Sequence, residues 1–244
     1  MAWLYGEYNA NTELSLEPLN SSDPLPRGEL HRLVLGNASA SYLQQQVVLR
    51  ARYSWTRRIA DVATVLLVSP AALVILAVCA IVVVIFMGFP VLFVQERIGR
   101  NGRKFRMFKL RTMTVSPVVK STATAPNDSR ITPLGAFFRR FHFDELPQLW
   151  NILVGDMSFI GPRPEQPDLV AHYRALIPHY DLRHLVTPGL TGWAQVCFGY
   201  AADVHETRTK LEYDLYYVQN FGLGLDLRVV ARTILVYANP VYVR

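Results

Sequence analysis

The residues best suited to chemistry lie between Arg139 and Pro164. The carboxylate pair Asp144-Glu145 is preceded by the basic run Arg139-Arg140 and followed by the turn Gly161-Pro162-Arg163-Pro164. Neighbouring carboxylates ringed by arginines suit phosphate chemistry, and the two prolines would hold Arg163 in a fixed direction. Pro147 fits the first turn of a helix, which places the pair at or just before the N-terminus of a helix through Leu149, Trp150 and Leu153. A helix N-terminus would favour an ionised Asp144 and offer backbone N–H groups to a phosphate. An ionised carboxylate is a competent, weak nucleophile toward activated phosphorus, and the second could hold a divalent cation. Taken alone, however, an acidic residue in a first helical turn is more often a cap than a catalyst.

The elements that must position this pair include an apolar segment, Val62 to Met87, long enough to cross the roughly 30 Å hydrocarbon core of a bilayer as one helix. Ser69-Pro70 interrupts it, leaving arms of only about 10 Å and about 25 Å at 1.5 Å per residue. Arg50, Arg52, Arg57 and Arg58 precede it, and Arg97, Arg100, Arg103, Lys104, Arg106, Lys109 and Arg111 follow. Lys and Arg favour the cytoplasmic side, so both ends prefer the same side, which favours a hairpin entering and leaving one leaflet. A proline-kinked single pass is the alternative.

Val91 to Gln95 and Lys104 to Leu110 read as two strands joined by Gly99-Arg100-Asn101-Gly102. Ser116 to Ser129 is rich in loop residues. Leu134 to Phe143, where phenylalanines alternate with Arg139, Arg140 and His142, reads as an amphipathic helix at a membrane interface or packed on the core. Residues 1 to about 50 read as a polar, partly disordered tail with no signal-peptide h-region, residues 51 to 90 as the membrane element with basic flanks, and 91 to 244 as the catalytic domain.

Composition agrees without deciding. The 244 residues suffice for one catalytic unit. Lys and Arg number 25 against 19 acidic residues, so the chain carries +6 and suits an anionic partner: lipid, nucleotide or nucleic acid. Two cysteines, Cys79 and Cys197, exclude a disulfide framework or cysteine metal cluster and favour a reducing compartment. His142, His172, His179, His184 and His205 are too scattered for a metal site, and no Walker loop or dinucleotide fingerprint occurs.

Several longer motifs occur in order: Lys109-Leu110-Arg111-Thr112-Met113, Asp144-Glu145-Leu146-Pro147-Gln148, Asn151 through Pro164, and Thr187-Pro188-Gly189-Leu190-Thr191-Gly192-Trp193-Ala194-Gln195-Val196. Together, over about residues 55 to 236, they resemble the bacterial sugar transferases of the monotopic phosphoglycosyl transferase superfamily, which initiate exopolysaccharide and related glycan synthesis. The resemblance implies a membrane-associated α/β protein with a helix-rich cytosolic domain, few short strands and a re-entrant helix broken at Ser69-Pro70. It implies transfer of a phosphosugar from a nucleotide diphosphate sugar, usually a UDP-sugar, to polyprenyl (undecaprenyl) phosphate. The setting would be the cytoplasmic face of the bacterial inner membrane, with no nucleic acid as partner. A homodimer and downstream glycosyltransferases are further expected partners.

The resemblance also implies roles: Asp144 as covalent nucleophile and Glu145 as ligand of Mg2+ (or Mn2+). From the residues themselves, Arg139 either neutralises phosphate or is solvated at the membrane surface, Arg163 either binds an anion or serves a structural turn, and Lys109 and Arg111 face a lipid phosphate or interfacial headgroups. Gly189 and Gly192 either let backbone approach a ligand or serve a plain turn, and Gln195 supports them within the same motif. Asp214 and Asp226 match acidic positions of the family's C-terminal signature and are expected to organise the site from behind or to act as caps and ion-pair partners. Gly222 and Gly224 depart from the commoner pattern, and Cys197 to Arg208 is a divergent loop and the expected determinant of the sugar. The rivals are a metal-dependent nucleotide-sugar phosphodiesterase and a catalytically silent membrane adaptor.

Overall fold

The computed structural model describes residues 40–114, 128–198, 201 and 203–238. It opens with α1 (Ala40–Leu49), inside the segment expected to be a tail. Leu43 is only 1% exposed and packs in a core with Ile98, Val170, Ile177, Leu211 and Leu215. The folded body therefore begins before residue 50, and the run Gln44-Gln45-Gln46 hides this because Gln44 and Gln45 face solvent.

α2 (Ala51–Met87) is 37 residues, about 55 Å at 1.5 Å per residue, and its most apolar 18-residue stretch has mean hydropathy 3.0. It is long and apolar enough to cross a membrane. Asp61, Val65, Cys79 and Val83 are buried, at spacings that keep them on one helical face. The opposite face is bare: Leu67 is 81% and Ile85 69% exposed. The expected break at Ser69-Pro70 is not a gap in the helix, which runs through Pro70. Proline removes a single N–H donor, and the hydroxyl of Ser69 donates to the Val65 carbonyl at 2.6 Å, so the turns on either side persist.

The same body grips α2 at both ends. Near its start, Arg57 donates to Ser158 Oγ at 2.7 Å and to Tyr217 Oη at 2.9 Å, while Arg58 donates to the carbonyls of Ile152 and Leu153. At its end, Arg111 donates to the carbonyls of Met87, Gly88 and Phe89. These carbonyls have no further helical turn to supply donors, so the guanidinium replaces it.

β1 (Leu92–Ile98) and β2 (Lys104–Leu110) form the expected antiparallel hairpin, Leu92 opposite Leu110 and Ile98 opposite Lys104. The amphipathic helix is α3 (Pro133–Arg140), capped by Thr132, whose hydroxyl accepts the Gly135 N–H. It stops short of Phe143 because His142 adopts a left-handed conformation, φ 55°, and turns the chain into a 3-10 turn, Phe143–Glu145, and then α4 (Gln148–Val154). The expected loop from Ser116 lies, apart from Asp128 and Ser129, outside the described residues.

β3 (Ser158–Ile160) and β4 (Gly189–Thr191) are a short parallel pair. Between them run α5 (Pro167–Leu176) and a 3-10 turn, Tyr180–Leu185. α6 (Trp193–Cys197), α7 (Val204–Asn220) and α8 (Leu223–Ala238) complete the chain. α7 starts at Val204, capped by Asp203, so the loop expected over Cys197 to Arg208 is short; residues 199, 200 and 202 lie outside the described residues.

Candidate active site

The site is assembled where the hairpin, the 3-10 turn and the end of β3 meet. Asn151, fully buried on α4, accepts the Phe108 N–H and donates to the Arg106 carbonyl, using its amide to satisfy the edge of β2. That clamp fixes Lys109, the next residue along, beside the turn that leads into α4. Lys109 Nζ then lies 2.8 Å from Glu145 Oε1. From the other side, Arg163 Nη2 reaches the same oxygen at 3.0 Å. The expected carboxylate pair and two expected cations are thus brought together.

The two carboxylates differ. Burial alone would raise the Glu145 carboxyl, but Arg163 and Lys109 outweigh it and hold it well below the usual carboxylate range. Asp144 is pushed the other way, above its ordinary value, by burial first; Lys109 and Arg139 pull against this, and the neighbouring Glu145 charge adds to it. Asp144 Oδ1 is buried with no hydrogen-bond partner among the described residues. Asp144 does not cap α4, whose N-cap is Pro147 with no side-chain cap bond, so desolvation governs it rather than the expected helix terminus. Neighbouring titratable groups pushed in opposite directions are a mark of divided chemical labour. Arg139 Nε donates to Thr112 Oγ1 at 2.9 Å, and its charge is felt at Asp144.

The other expected site residues divide. Arg111 is buried, and its guanidinium donates to carbonyls at the end of α2. Gly189 and Gly192 bring backbone to backbone: a Cβ on Gly189 would overlap the Gly161 nitrogen, and one on Gly192 the Gly161 oxygen. They let β4 close against Gly161, which precedes the Pro-Arg-Pro turn, so plain structural duty accounts for them. Gln195 Nε2 braces the same strand at the Leu190 carbonyl. Asp226 accepts from Tyr53 Oη and Tyr217 Oη, each at 2.7 Å, and joins α8 to α2 and α7. Asp214 forms a buried pair with Arg183 at 2.7 Å.

This arrangement falls within one family's pattern: the model of the bacterial sugar transferase family matches residues 52–240. The chain belongs to the bacterial sugar transferase family. Among its relatives, the UDP-N-acetylgalactosamine-undecaprenyl-phosphate N-acetylgalactosaminephosphotransferase of Aeromonas hydrophila is 41% identical over 183 residues, 75% of this chain and 43% of the relative. The UDP-glucose:undecaprenyl-phosphate glucose-1-phosphate transferase of Xanthomonas campestris pv. campestris is 46% identical over 149 residues, 59% of this chain and 31% of its own length. A Caulobacter vibrioides protein of the same name as the latter is 38% identical over 73% of this chain and 68% of its own length. The chain thus spans less than half the length of the first two relatives.

Several residues that matter to the site were not singled out for it from sequence. Arg183 Nη2 donates to the Arg163 carbonyl at 3.0 Å and Arg97 Nη1 to the Pro164 carbonyl at 3.2 Å, so two arginines fasten the Pro-Arg-Pro turn from behind. Tyr237 on α8 meets the His142 ring edge-on with centroids 4.6 Å apart, and its hydroxyl is pushed up by burial and by the Glu145 charge. No periodicity marks such residues. A buried arginine far from an acidic partner in sequence is invisible until the chain is folded.

Asp144 and Glu145 supply hard oxygen donors side by side, and Asp144 Oδ1 is unpartnered. Among the described residues no group of three or more His, Cys, Asp or Glu side chains converges. Two carboxylates completed by substrate phosphate and water fit magnesium's habit, whereas an all-protein cage is not what it needs.

Proposed function

We propose that the protein transfers a phosphosugar from a nucleotide diphosphate sugar, of the UDP type, to polyprenyl phosphate through a covalent intermediate on Asp144. The observation that carries this reading is the contrast at the dyad: a desolvated Asp144 with a free oxygen beside a Glu145 locked by Lys109 and Arg163. In the first step Asp144 oxygen bonds to the β-phosphorus as the phosphoanhydride bond to the α-phosphate breaks, and nucleoside monophosphate leaves with the bond's electrons. In the second, a polyprenyl phosphate oxygen attacks the same phosphorus, the bond to Asp144 breaks, and polyprenyl diphosphate sugar forms. Neither step requires a proton transfer from the protein. Arg163, Lys109 and Arg139 hold and neutralise the phosphates, and burial excludes water that would divert the intermediate. Bound magnesium, held by Glu145 and Asp144 with phosphate oxygens, would supply further charge neutralisation.

The membrane arrangement is part of the proposal. Because one body binds α2 through Arg57 and Arg58 near its start and through Arg111 at its end, both ends belong on the same side, with the bare face of α2 in one leaflet. Basic flanks favour the cytoplasmic leaflet of the inner membrane. The names of the relatives, which act on UDP-sugars and undecaprenyl phosphate, support the substrates.

The test is a panel assay: purified protein, magnesium, undecaprenyl phosphate and individual nucleotide sugars, with nucleoside monophosphate release and lipid-linked product measured. Product with at least one UDP-sugar, dependent on the lipid, is expected. Steady sugar phosphate release without lipid would instead indicate a phosphodiesterase.

A further inference from the structure

An acceptor whose phosphate must reach Asp144 also has to lay a long hydrocarbon tail somewhere. The described residues contain an apolar groove of about 320 Å3 between the second half of α2 and α3, with Val74, Val78 and Val82 facing Leu134, Phe137 and Phe143. Its floor is packed, Cys79 being 5% and Phe138 3% exposed, while its rim is open, Val74 being 66% and Phe137 50% exposed. That size lies at the lower end for ligand pockets.

The groove is continuous with the site through the chain itself. Two lining residues each immediately precede a site residue: Phe138 precedes Arg139, and Phe143 precedes Asp144. Phe143 and Asp144 share one 3-10 turn, so the apolar wall and the buried carboxylate are successive residues of one rigid piece. The charge is arranged to match: no polar side chain lines the groove, while Arg139 and Lys109, both sensed by the Asp144 carboxyl, stand at the head. An amphiphile with one anionic end and a branched apolar chain fits this polarity.

We infer that this groove seats the isoprenoid segment next to the phosphate of the polyprenyl acceptor, so that α2 and α3 form the lipid's guide as well as the protein's anchor. The inference rests on the transfer reaction proposed above. It differs from general lipid contact in one respect: one stretch of α2, Val74 to Val82, acts on the acceptor, whereas the bare stretch around Leu67, about two to three turns nearer the start of the helix, does not.

The test uses full-length protein in nanodiscs and separates the two half-reactions. Val78→Trp fills the groove, and Leu67→Trp adds the same bulk about three turns away, outside the groove, as a control. Adduct is first formed from the nucleotide sugar, then discharged by undecaprenyl phosphate or by the short geranyl phosphate. Val78→Trp should raise the undecaprenyl phosphate concentration for half-maximal discharge about tenfold, a change of about 1.4 kcal/mol. Geranyl phosphate should be affected less, and Leu67→Trp should behave as wild type. Equal responses of the two variants would overturn the inference. Should Val78→Trp fail to fold, a photoactivatable isoprenyl phosphate on the wild-type protein decides: labelling of residues 74–82 and 134–143 supports the groove, and labelling confined to other surfaces overturns it. Wild-type protein that forms no adduct before lipid is added would overturn the underlying reaction instead, and the seat with it.

Discussion

Arg183 donates to the main-chain carbonyl of Arg163 at 3.0 Å, and so holds in place the residue whose guanidinium meets Glu145. Arg183 is itself held by Asp214 at 2.7 Å, with both side chains 3% exposed. Burial would lower the Arg183 pKa, but Asp214 and the Tyr180 hydroxyl beside it leave it raised, so it stays charged. The main chain that carries the Arg163 guanidinium is thus held by a buried ion pair.

Breaking that pair should be costly. Asp214→Asn leaves a buried guanidinium without its counter-charge, and removing one partner of a buried pair costs about 3–5 kcal/mol. Melting should fall accordingly. If Arg183 positions Arg163, Arg183→Lys should lower kcat for adduct formation more than it raises KM for nucleotide sugar; a change in melting with unaltered kinetics would assign it a purely structural role.

Asp144→Asn should abolish both adduct and product, by at least about 10³-fold, because the amide cannot form the phosphoryl ester. Retained turnover would remove the covalent step from the mechanism. Mass spectrometry of protein quenched during turnover reads the adduct directly.

The dyad predicts opposite pH signs. The folded Asp144 carboxyl lies above its ordinary value, so adduct formation should rise with pH through a half-point above the roughly 3.9 of a free aspartate. The folded Glu145 carboxyl lies below its ordinary value, so its contribution to stability is present above the unfolded value of about 4.3 and is lost as pH falls below it. Glu145→Gln should flatten the acid side of a melting profile. A profile identical to wild type would contradict the ion cluster.

Gly189→Ala should destabilise strongly without touching the dyad. The added methyl overlaps the Gly161 backbone, and neither partner is a flexible side chain that can yield. A drop in melting temperature is expected, with loss of activity as the Pro-Arg-Pro turn moves. Wild-type melting would show that β4 pairs otherwise.

Arg111→Ala tests the end of α2. It strips donors from three carbonyls, at about 1–3 kcal/mol for each left unsatisfied if water does not reach them. Proteolysis near Phe89 should accelerate in the variant.

The sequence made some of this legible. The hairpin announced itself through β-branched and aromatic runs around Gly99 to Gly102, and the apolar helix through sheer length. Asp144, Glu145, Lys109 and Arg163 were singled out by residue type together with the family resemblance, and the structure sets Lys109 and Arg163 against Glu145, beside Asp144. The three carbonyls that Arg111 serves were not legible, because a basic residue beside a membrane segment announces no particular partner. β3 and β4 were missed because three residues carry no measurable alternation, and Leu43 because its neighbours are glutamines. Arg183 and Tyr237 depend on contacts between elements distant in sequence, Arg183 with Arg163 and Tyr237 with His142, which no local pattern encodes.

The buried stripe of α2 ends against Leu110 and Phe138, each one residue from a charged group of the site, Lys109 and Arg139. In the proposed membrane setting the surrounding lipid would be a mechanical component of the reaction: bilayer thickness and chain order would press on α2, and through Cys79 and Val83 that load would arrive beside Lys109 and Arg139. A detergent that preserves every helix would then still detune activity, and the choice of host membrane would become a variable of the assay.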